Sequence, residues 1–161
     1  MNTRPHLPLL LSLVFFGCGQ EASVTDDSPP TCEVDDRDEP YFSGISKTGS
    51  ANYVIKLVDS NPAPPAKGNN VWFIEVTNPD ATAASGLVVD LEGFMPDHGH
   101  GTPVVPTVVD NGEGGYTLDP VNLFMPGYWE VSLTLSDPGD SEGSDDDVEL
   151  DSVTFRFCVS G

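Results

Sequence analysis

Basic residues are scarce in this chain, and their scarcity limits the partners that the protein can bind. The sequence of 161 residues has 6 lysines and arginines against 26 aspartates and glutamates, so its formal net charge at pH 7 is −20. Surfaces that bind nucleic acid need clustered basic side chains to neutralise phosphates. The composition therefore argues against nucleic acid as a partner and against electrostatic docking on anionic lipid. It is compatible with attracting cations, and equally with solubility alone.

Long apolar runs are also missing. The longest candidate, residues 7–16, follows Arg4 near the N-terminus. It is far shorter than the roughly 20 residues that a helix needs to cross a bilayer. A short apolar run after a basic residue is typical of a secretory signal, which we assign to residues 1–17. We therefore expect the protein to be exported.

The end of this signal indicates a lipid anchor. Gly17 is followed directly by Cys18, an order typical of bacterial lipoproteins that are cleaved before the cysteine and acylated on its thiol. An ordinary signal peptide with a nearby cleavage site is the alternative. Gly19 stands where retention in the inner membrane would favour aspartate. We therefore expect a protein of the cell envelope, anchored by lipid at the outer membrane.

Cysteine is rare, with 3 in the chain. If Cys18 carries lipid, Cys32 and Cys158 remain as a pair in an oxidising compartment, and we predict a disulfide between them. It would close a loop of about 127 residues and contribute on the order of 4–5 kcal/mol in the chain-entropy model. The alternative, two thiolate ligands for copper, is less favoured because neither cysteine has a cysteine or histidine close in sequence.

The rest of the chain divides into a tether and one domain. Residues 18–40 are polar, acidic and proline-containing, with little to bury, and they indicate a flexible tether. Residues 41–161 are long enough for a single core. The whole chain has 15 prolines and 16 glycines, and no stretch shows a helical period. The domain is therefore predicted to be all-β.

Alternation of apolar and polar residues identifies the strands. In residues 70–77, for example, Trp72, Ile74 and Val76 share one face, and five other segments alternate in the same way. Turn residues separate the segments, which is typical of a sandwich. We predict an immunoglobulin-like β-sandwich of about seven strands. The segments that carry the pattern are residues 52–59, 70–77, 87–91, 116–123, 128–136 and 150–159.

Histidine and methionine are as rare as cysteine, and they are concentrated in two places. Each type occurs 3 times. His6 lies in the signal, which leaves His98 and His100 beside Met95, while Met125 comes later; proline follows both of these methionines. In an extended segment the two histidines would project to the same side. Because loops cluster at the ends of a sandwich, the two Met-Pro turns can meet there.

This concentration predicts a metal site. Imidazole with thioether suits copper, and thioether favours Cu(I) over Cu(II). No cysteine is near, so a blue-copper centre is not expected, and Asp97 or Glu92 is a candidate acceptor for a histidine ring N–H. The alternative is that the methionines fill gaps in the core and the histidines are polar loop residues. The predicted ligands are Met95, His98, His100 and Met125.

The remaining features of the sequence argue against calcium binding and against catalysis. Residues 137–149 are rich in carboxylates and glycine but lack the ligand spacing of an EF-hand, so we favour a solvated loop over a calcium site. Residues 139–143 have the Gly-x-Ser-x-Gly spacing, but no helical period follows them, as a nucleophile elbow requires. A phosphate-binding glycine loop before a helix is absent from the sequence. Two histidines without a third ligand make a poor hydrolytic zinc site. We therefore expect a protein that is not an enzyme.

The two methionine motifs also resemble the YtkA-like domain family. The resemblance runs from about residue 53 to residue 135 and is carried by FMPDHGHGTPVVPTV and GGYTLDPVNLFMPGYWEVSLTL. It implies a small exported protein, often lipid-anchored, with a β-sandwich like that of copper-resistance proteins, and a role in handling copper. The acidic residues 137–149 depart from the compact family pattern.

These observations give one leading hypothesis and one rival. The leading hypothesis is a lipid-anchored envelope protein that binds copper for buffering, delivery or sensing. Its partners would be the membrane, through the anchor, and a copper acceptor or another envelope protein. The rival is a metal-free immunoglobulin-like module that is tethered to the outer membrane and serves in interaction or structure.

Overall fold

The computed structural model describes Met1, Cys32, residues 36–139 and residues 148–161. The signal after Met1, the lipidation site Cys18, most of the tether and the centre of the acidic stretch lie outside the described residues. Within the described ranges, a helix with the length and apolar character of a membrane span is not found.

Within the described residues, nine strands form two antiparallel sheets, which confirms the all-β sandwich. The first sheet has the order β1-β2-β3-β7-β6 and the second has the order β5-β4-β8-β9. The strands are β1 (Ile45–Thr48), β2 (Val54–Asn61), β3 (Gly68–Thr77), β4 (Val88–Met95), β5 (His100–Gly101), β6 (Thr107–Gly112), β7 (Gly115–Leu123), β8 (Gly127–Asp137) and β9 (Val148–Val159).

All six segments chosen from the sequence are strands, with ends displaced by a few residues. The structure adds β1, β5 and β6, so it has more strands than the predicted seven. These three are the shortest in the fold, with 4, 2 and 6 residues. Strands β1 and β5 are too short for an alternating pattern, and most of β6 is exposed, so it lacks an apolar face.

The core lies between the sheets, where the alternating apolar residues of both inner faces meet. Trp72 on β3 crosses to the second sheet and packs edge-on against Phe155 and Phe157 on β9, with ring centroids 6.1 and 5.8 Å apart. Strand β8 lies between β4 and β9, and its inward side chains Val131 and Leu133 have no exposed surface. The predicted inner faces are therefore confirmed.

The predicted disulfide joins Cys32 to Cys158, with the two Cα atoms 5.3 Å apart. Glu39 and Tyr41 also contact the second sheet. The backbone N–H of Glu39 donates to the carbonyl of Arg156 on β9 at 2.9 Å, and Tyr41 packs edge-on against Phe157. Residues 36–40, which the sequence assigned to the tether, therefore begin the folded contacts before the domain boundary that we placed at residue 41.

Candidate metal centre

The first methionine turn connects β4 to β5. Met95 ends β4 and pairs with His100 on β5. The carbonyl of Met95 accepts hydrogen bonds from the backbone N–H groups of His98, at 3.1 Å, and Gly99, at 2.9 Å. Gly99 has a φ of +66°, a conformation that glycine adopts at little cost. The segment is therefore a tight turn, and its backbone places the two histidines one after the other around the bend.

This turn contradicts the alternation argument by which we predicted that the two histidines lie together. His98 does not lie on an extended strand, because proline at position 96 and glycine at position 99 favour a turn there. The rings are nevertheless neighbours, with centroids 5.6 Å apart and planes inclined by 40°. Proximity of His98 and His100 was therefore expected correctly, although the alternation argument behind it was wrong.

The second methionine turn connects β7 to β8 and is hydrogen-bonded to a buried tryptophan. The indole N–H of Trp129 donates to the carbonyl of Met125 at 2.9 Å. The ring of Phe124 packs edge-on against the same indole, with centroids 5.6 Å apart. Since Trp129 has no exposed surface, it ties this turn to the rigid core.

The two turns meet at one end of the sandwich. A Cβ atom added to Gly127 would lie 2.9 Å from the terminal methyl carbon of Met95, so the first methionine reaches the start of β8. On the surface side, the ring of His100 stacks on that of Phe124, with centroids 5.5 Å apart and planes inclined by 24°. These two contacts bring the predicted ligand segments together.

Burial differs among the four predicted ligands. His98 is exposed and His100 is half-buried, whereas Met95 has no exposed surface and belongs to the core. Met125 is partly buried and packs against the core. Met95 therefore fills the core, as the alternative interpretation holds. A ligand role for its sulfur requires the metal to lie below the surface, beneath the histidine rings.

The donor chemistry fits copper. Two imidazoles and two thioethers are neutral ligands of the kind that copper accepts, and the thioethers favour Cu(I). No group of three or more histidine, cysteine, aspartate or glutamate side chains is placed to hold a metal within the described ranges. Among those residues, a site at the two turns would therefore need methionine to complete the histidine pair.

The two carboxylates proposed as outer acceptors are placed differently. Asp97 receives two hydrogen bonds from the guanidinium of Arg37, at 2.8 and 2.6 Å. Glu92 lies on the outer face of the second sheet, where it lines an open hollow of about 320 Å³ with Phe94 and Glu130 among others. The Asp97 carboxylate is therefore paired with Arg37, and contact of either carboxylate with a histidine ring stays a prediction.

Tyr128 connects the Arg37 contact to β8. The guanidinium carbon of Arg37 lies 4.1 Å from the centroid of the Tyr128 ring, a cation–π distance. The hydroxyl of Tyr128 donates to Glu130 at 3.1 Å. Burial of the ring, and then this hydrogen bond, raise the pKa of the Tyr128 hydroxyl above its usual value. The phenol thus stays neutral beneath the cation.

Sequence reasoning missed four residues that shape this centre. The signal for Phe124 was present, because Phe-Met-Pro occurs twice in the chain, at 94–96 and at 124–126. Trp129 and Gly127 lie next to the second copy but show their roles only through tertiary contacts. Arg37 lies 60 positions from Asp97, and no local pattern marks it.

The family model described as YtkA-like matches residues 47–134, which include both methionine turns. A comparison with curated proteins gave no match. Two solved structures with a similar fold are both of FetP from uropathogenic Escherichia coli strain F11.

The first is a copper-bound variant of FetP, at 14% identity and a TM-score of 0.45, over 75% of this chain and 97% of that one. The second is FetP "as isolated" after recombinant expression in the periplasm of Escherichia coli, at 14% identity and a TM-score of 0.44, over 75% of this chain and 96% of that one. Similarity at this level does not extend the ligand of FetP to this chain.

Proposed function

Because this chain belongs to the YtkA-like family, we propose that it is an exported envelope protein that binds copper at its paired methionine turns. The proposed ligands are Met95, His98, His100 and Met125. The protein would hold copper for buffering, delivery or sensing, and Cu(I) in preference to Cu(II). We propose no catalytic role for it.

The observation that carries this proposal is the meeting of the two turns. Met95 lies against Gly127 at the start of β8, and His100 stacks on Phe124 beside Met125. The sequence separates the two turns by about thirty positions, and the fold brings them to one end of the sandwich. All of the histidines after the signal, and both methionines after it, therefore lie in one neighbourhood.

The ligand types suit exchange of the metal. Neutral imidazole and thioether groups select copper by softness and geometry and leave little net charge at the site. His98 is exposed and His100 is half-buried, so an acceptor protein has access to the imidazoles before it reaches the thioethers. A partner with similar ligands would then receive the copper by stepwise replacement, which supports delivery or buffering.

Export and anchoring are supported by the cysteines. The disulfide between Cys32 and Cys158 is typical of an oxidising compartment. It leaves Cys18 as the remaining cysteine, directly after Gly17 at the end of the signal. We propose that lipid on Cys18 anchors the protein in the outer membrane, where an envelope protein is its partner.

The rival function has one observation in its favour. Met95 is fully buried in the hydrophobic core, which is also where a methionine belongs in a module that binds no metal. Such a module would present its loops to another envelope protein. Since the fold is the same in both cases, a binding measurement is needed to separate them.

The test is a titration of the purified protein with Cu(I) against a chromogenic Cu(I) chelator, in the absence of oxygen. We expect one-to-one binding in the wild type. In the double variant His98→Ala plus His100→Ala, we expect affinity to fall by about a hundredfold or more, because loss of a direct ligand costs at least as much as loss of an outer-shell partner.

The matched control is a double substitution on an exposed strand of the first sheet, Thr107→Ala plus Val109→Ala, which should bind like the wild type. If the wild type fails to compete for Cu(I), the Cu(I) proposal is wrong. If it also fails to bind Cu(II), the metal-free module is the better account.

A further inference from the structure

Residues near the start of the described chain form a strap, defined here as Cys32 together with residues 36–41. Three contacts fix the strap to β9. The disulfide joins Cys32 to Cys158, the backbone N–H of Glu39 donates to the carbonyl of Arg156, and the Glu39 carboxylate accepts the backbone N–H of Arg156 at 3.3 Å. The strap is therefore attached to the second sheet on both sides of Arg37.

From this fixed position, Arg37 reaches the histidine turn. Its two terminal nitrogens donate to the two carboxylate oxygens of Asp97, which immediately precedes His98. Its guanidinium also lies over the ring of Tyr128, a buried residue on β8. A bidentate pair constrains the carboxylate in direction as well as distance, and the ring beneath limits the movement of the guanidinium.

We propose that Arg37 is a positioning residue for the metal centre. It holds the turn of residues 96–99 in the conformation that places His98 beside His100. It acts through Asp97 and does not contact a ligand ring. The consequence for copper rests on the proposed function, whereas the consequence for the turn does not.

The direction in which copper affinity changes when Arg37 is replaced distinguishes a positioning role from an effect of its charge alone. A fixed positive charge near a bound cation raises its energy, so removing Arg37 should strengthen copper binding if charge alone matters. If Arg37 positions His98, removing it should weaken binding. The two accounts therefore predict opposite results for the same neutral substitution.

Arginine is the residue type that this role requires. Its planar fork matches both oxygens of the carboxylate and stacks on an aromatic ring, whereas the lysine ammonium is a compact charge without a fork. Arg37→Lys keeps the charge and loses the geometry. It should therefore behave like the neutral variant in its effect on the turn.

The experiment measures two properties of Arg37→Gln and Arg37→Lys. The first, without any metal, is hydrogen exchange of the backbone N–H groups of His98 and Gly99, which both donate to the Met95 carbonyl. The second is Cu(I) affinity by chelator competition. We expect both variants to exchange these amides faster and to bind Cu(I) more weakly, by about three- to tenfold in each case.

The matched control is Lys56→Gln. Lys56 forms an exposed ion pair with Glu75 at 2.8 Å on the first sheet, so this variant removes one positive charge and one surface ion pair without touching the strap. Its amide exchange at His98 and its Cu(I) affinity should equal those of the wild type. The charge-reversed pair Arg37→Asp plus Asp97→Arg should recover part of what each single change loses.

Three results would overturn the proposal. These are unchanged exchange at His98 and Gly99, tighter copper binding in Arg37→Gln, and a charge-reversed pair no better than its single variants. If the amides respond as expected but the wild type binds no copper, the positioning role stands and the proposed function fails.

Discussion

Gly127 is the residue at which the two methionine turns touch. Its φ is +126°, which side-chain-bearing residues seldom adopt, and the place where its Cβ would lie is 2.9 Å from the methyl carbon of Met95. A contact this close leaves no room for a methyl group unless Met95 moves. The backbone conformation therefore favours glycine here, and a methyl group would displace the end of the Met95 side chain.

Gly127→Ala should destabilise the protein by about 1–3 kcal/mol through backbone strain, and it should weaken Cu(I) binding by displacing the Met95 side chain. Urea denaturation and chelator competition measure the two effects. Gly86→Ala is the matched control, because Gly86 has a φ of +79° with open space around its missing Cβ. It should lose stability from strain but keep its copper affinity; equal losses of affinity in both variants would contradict the contact.

Tyr116 illustrates a residue whose importance depends on its hydroxyl. The hydroxyl donates to the carbonyl of Ala84 at 2.9 Å and accepts the backbone N–H of Leu87 at 3.1 Å. Burial raises the pKa of this phenol above its usual value, since the charged phenolate would lose its hydration. The folded state therefore favours the protonated form.

The pH dependence of stability follows from this direction. The stabilisation is complete below the unfolded pKa of about 10 and is lost as the pH rises through the higher folded pKa. Tyr116→Phe should reduce that alkaline loss and should cost about 1–3 kcal/mol at pH 7, because two buried backbone groups lose their partner. Urea denaturation at pH 7 and at several values above pH 10 measures both; an unchanged alkaline slope would contradict the assignment.

At the scale of elements, long strands were predictable and short ones were not. Strand β8 has an unbroken alternation from Trp129 to Leu135, whose inward residues are fully buried, so its period identified it. Strand β5 has 2 residues and forms because two glycines allow a close approach: a Cβ on Gly101 would lie 2.7 Å from the carbonyl oxygen of Gly93. Such a contact depends on the partner strand, which local sequence does not specify.

The same limit applies to the edge of β9. Asp151, a buried residue on this strand, accepts the backbone N–H groups of Ala51 at 3.0 Å and Tyr53 at 3.1 Å. It thereby joins β9 to the connection between β1 and β2 in the other sheet. In the sequence, Asp151 is one more carboxylate at the end of an acidic stretch, and nothing local separates it from the others.

Asp151→Asn should lower the free energy of unfolding by about 1–3 kcal/mol. One carboxylate oxygen accepts the N–H groups of Ala51 and Tyr53, and the other accepts the backbone N–H of Ser152 at 2.9 Å. An amide N–H₂ group in place of either oxygen therefore faces a backbone donor. Asp90→Asn, at an exposed position on β4, makes the same chemical change without a buried partner and should be nearly neutral. Urea denaturation compares the two. A similar small effect in both variants would show that Asp151 does not tie the sheets together.

At the scale of the whole molecule, the cysteine count predicted the disulfide, which is confirmed, whereas the partners excluded on composition stay predictions. Four of the five basic residues in the described ranges, Arg37, Lys47, Lys56 and Arg156, each form an ion pair with a carboxylate. Within the described ranges, Asp151 is the one buried acidic residue, and the other carboxylates are exposed or half-buried. The strap was not predictable, because its contacts join residues far apart in sequence.

Removal of the disulfide by Cys32→Ser plus Cys158→Ser should lower stability by up to about 4–5 kcal/mol, since the unfolded chain regains its loop entropy. It should also speed amide exchange at His98, because the strap that carries Arg37 loses its anchor. Thermal unfolding and hydrogen exchange measure these outcomes. The single variant Val148→Ala, at an exposed position on the same strand, is a control that should change neither.

The measurement that tests the central claim most directly is X-ray absorption at the copper edge of the Cu(I)-loaded protein. If the two methionine turns share one metal, the wild type should show both nitrogen and sulfur scatterers, and the sulfur contribution should disappear in Met95→Leu plus Met125→Leu. A wild-type spectrum with nitrogen and oxygen scatterers alone would contradict the claim. The side chains of Met95 and Met125 would then pack in or against the core without binding copper.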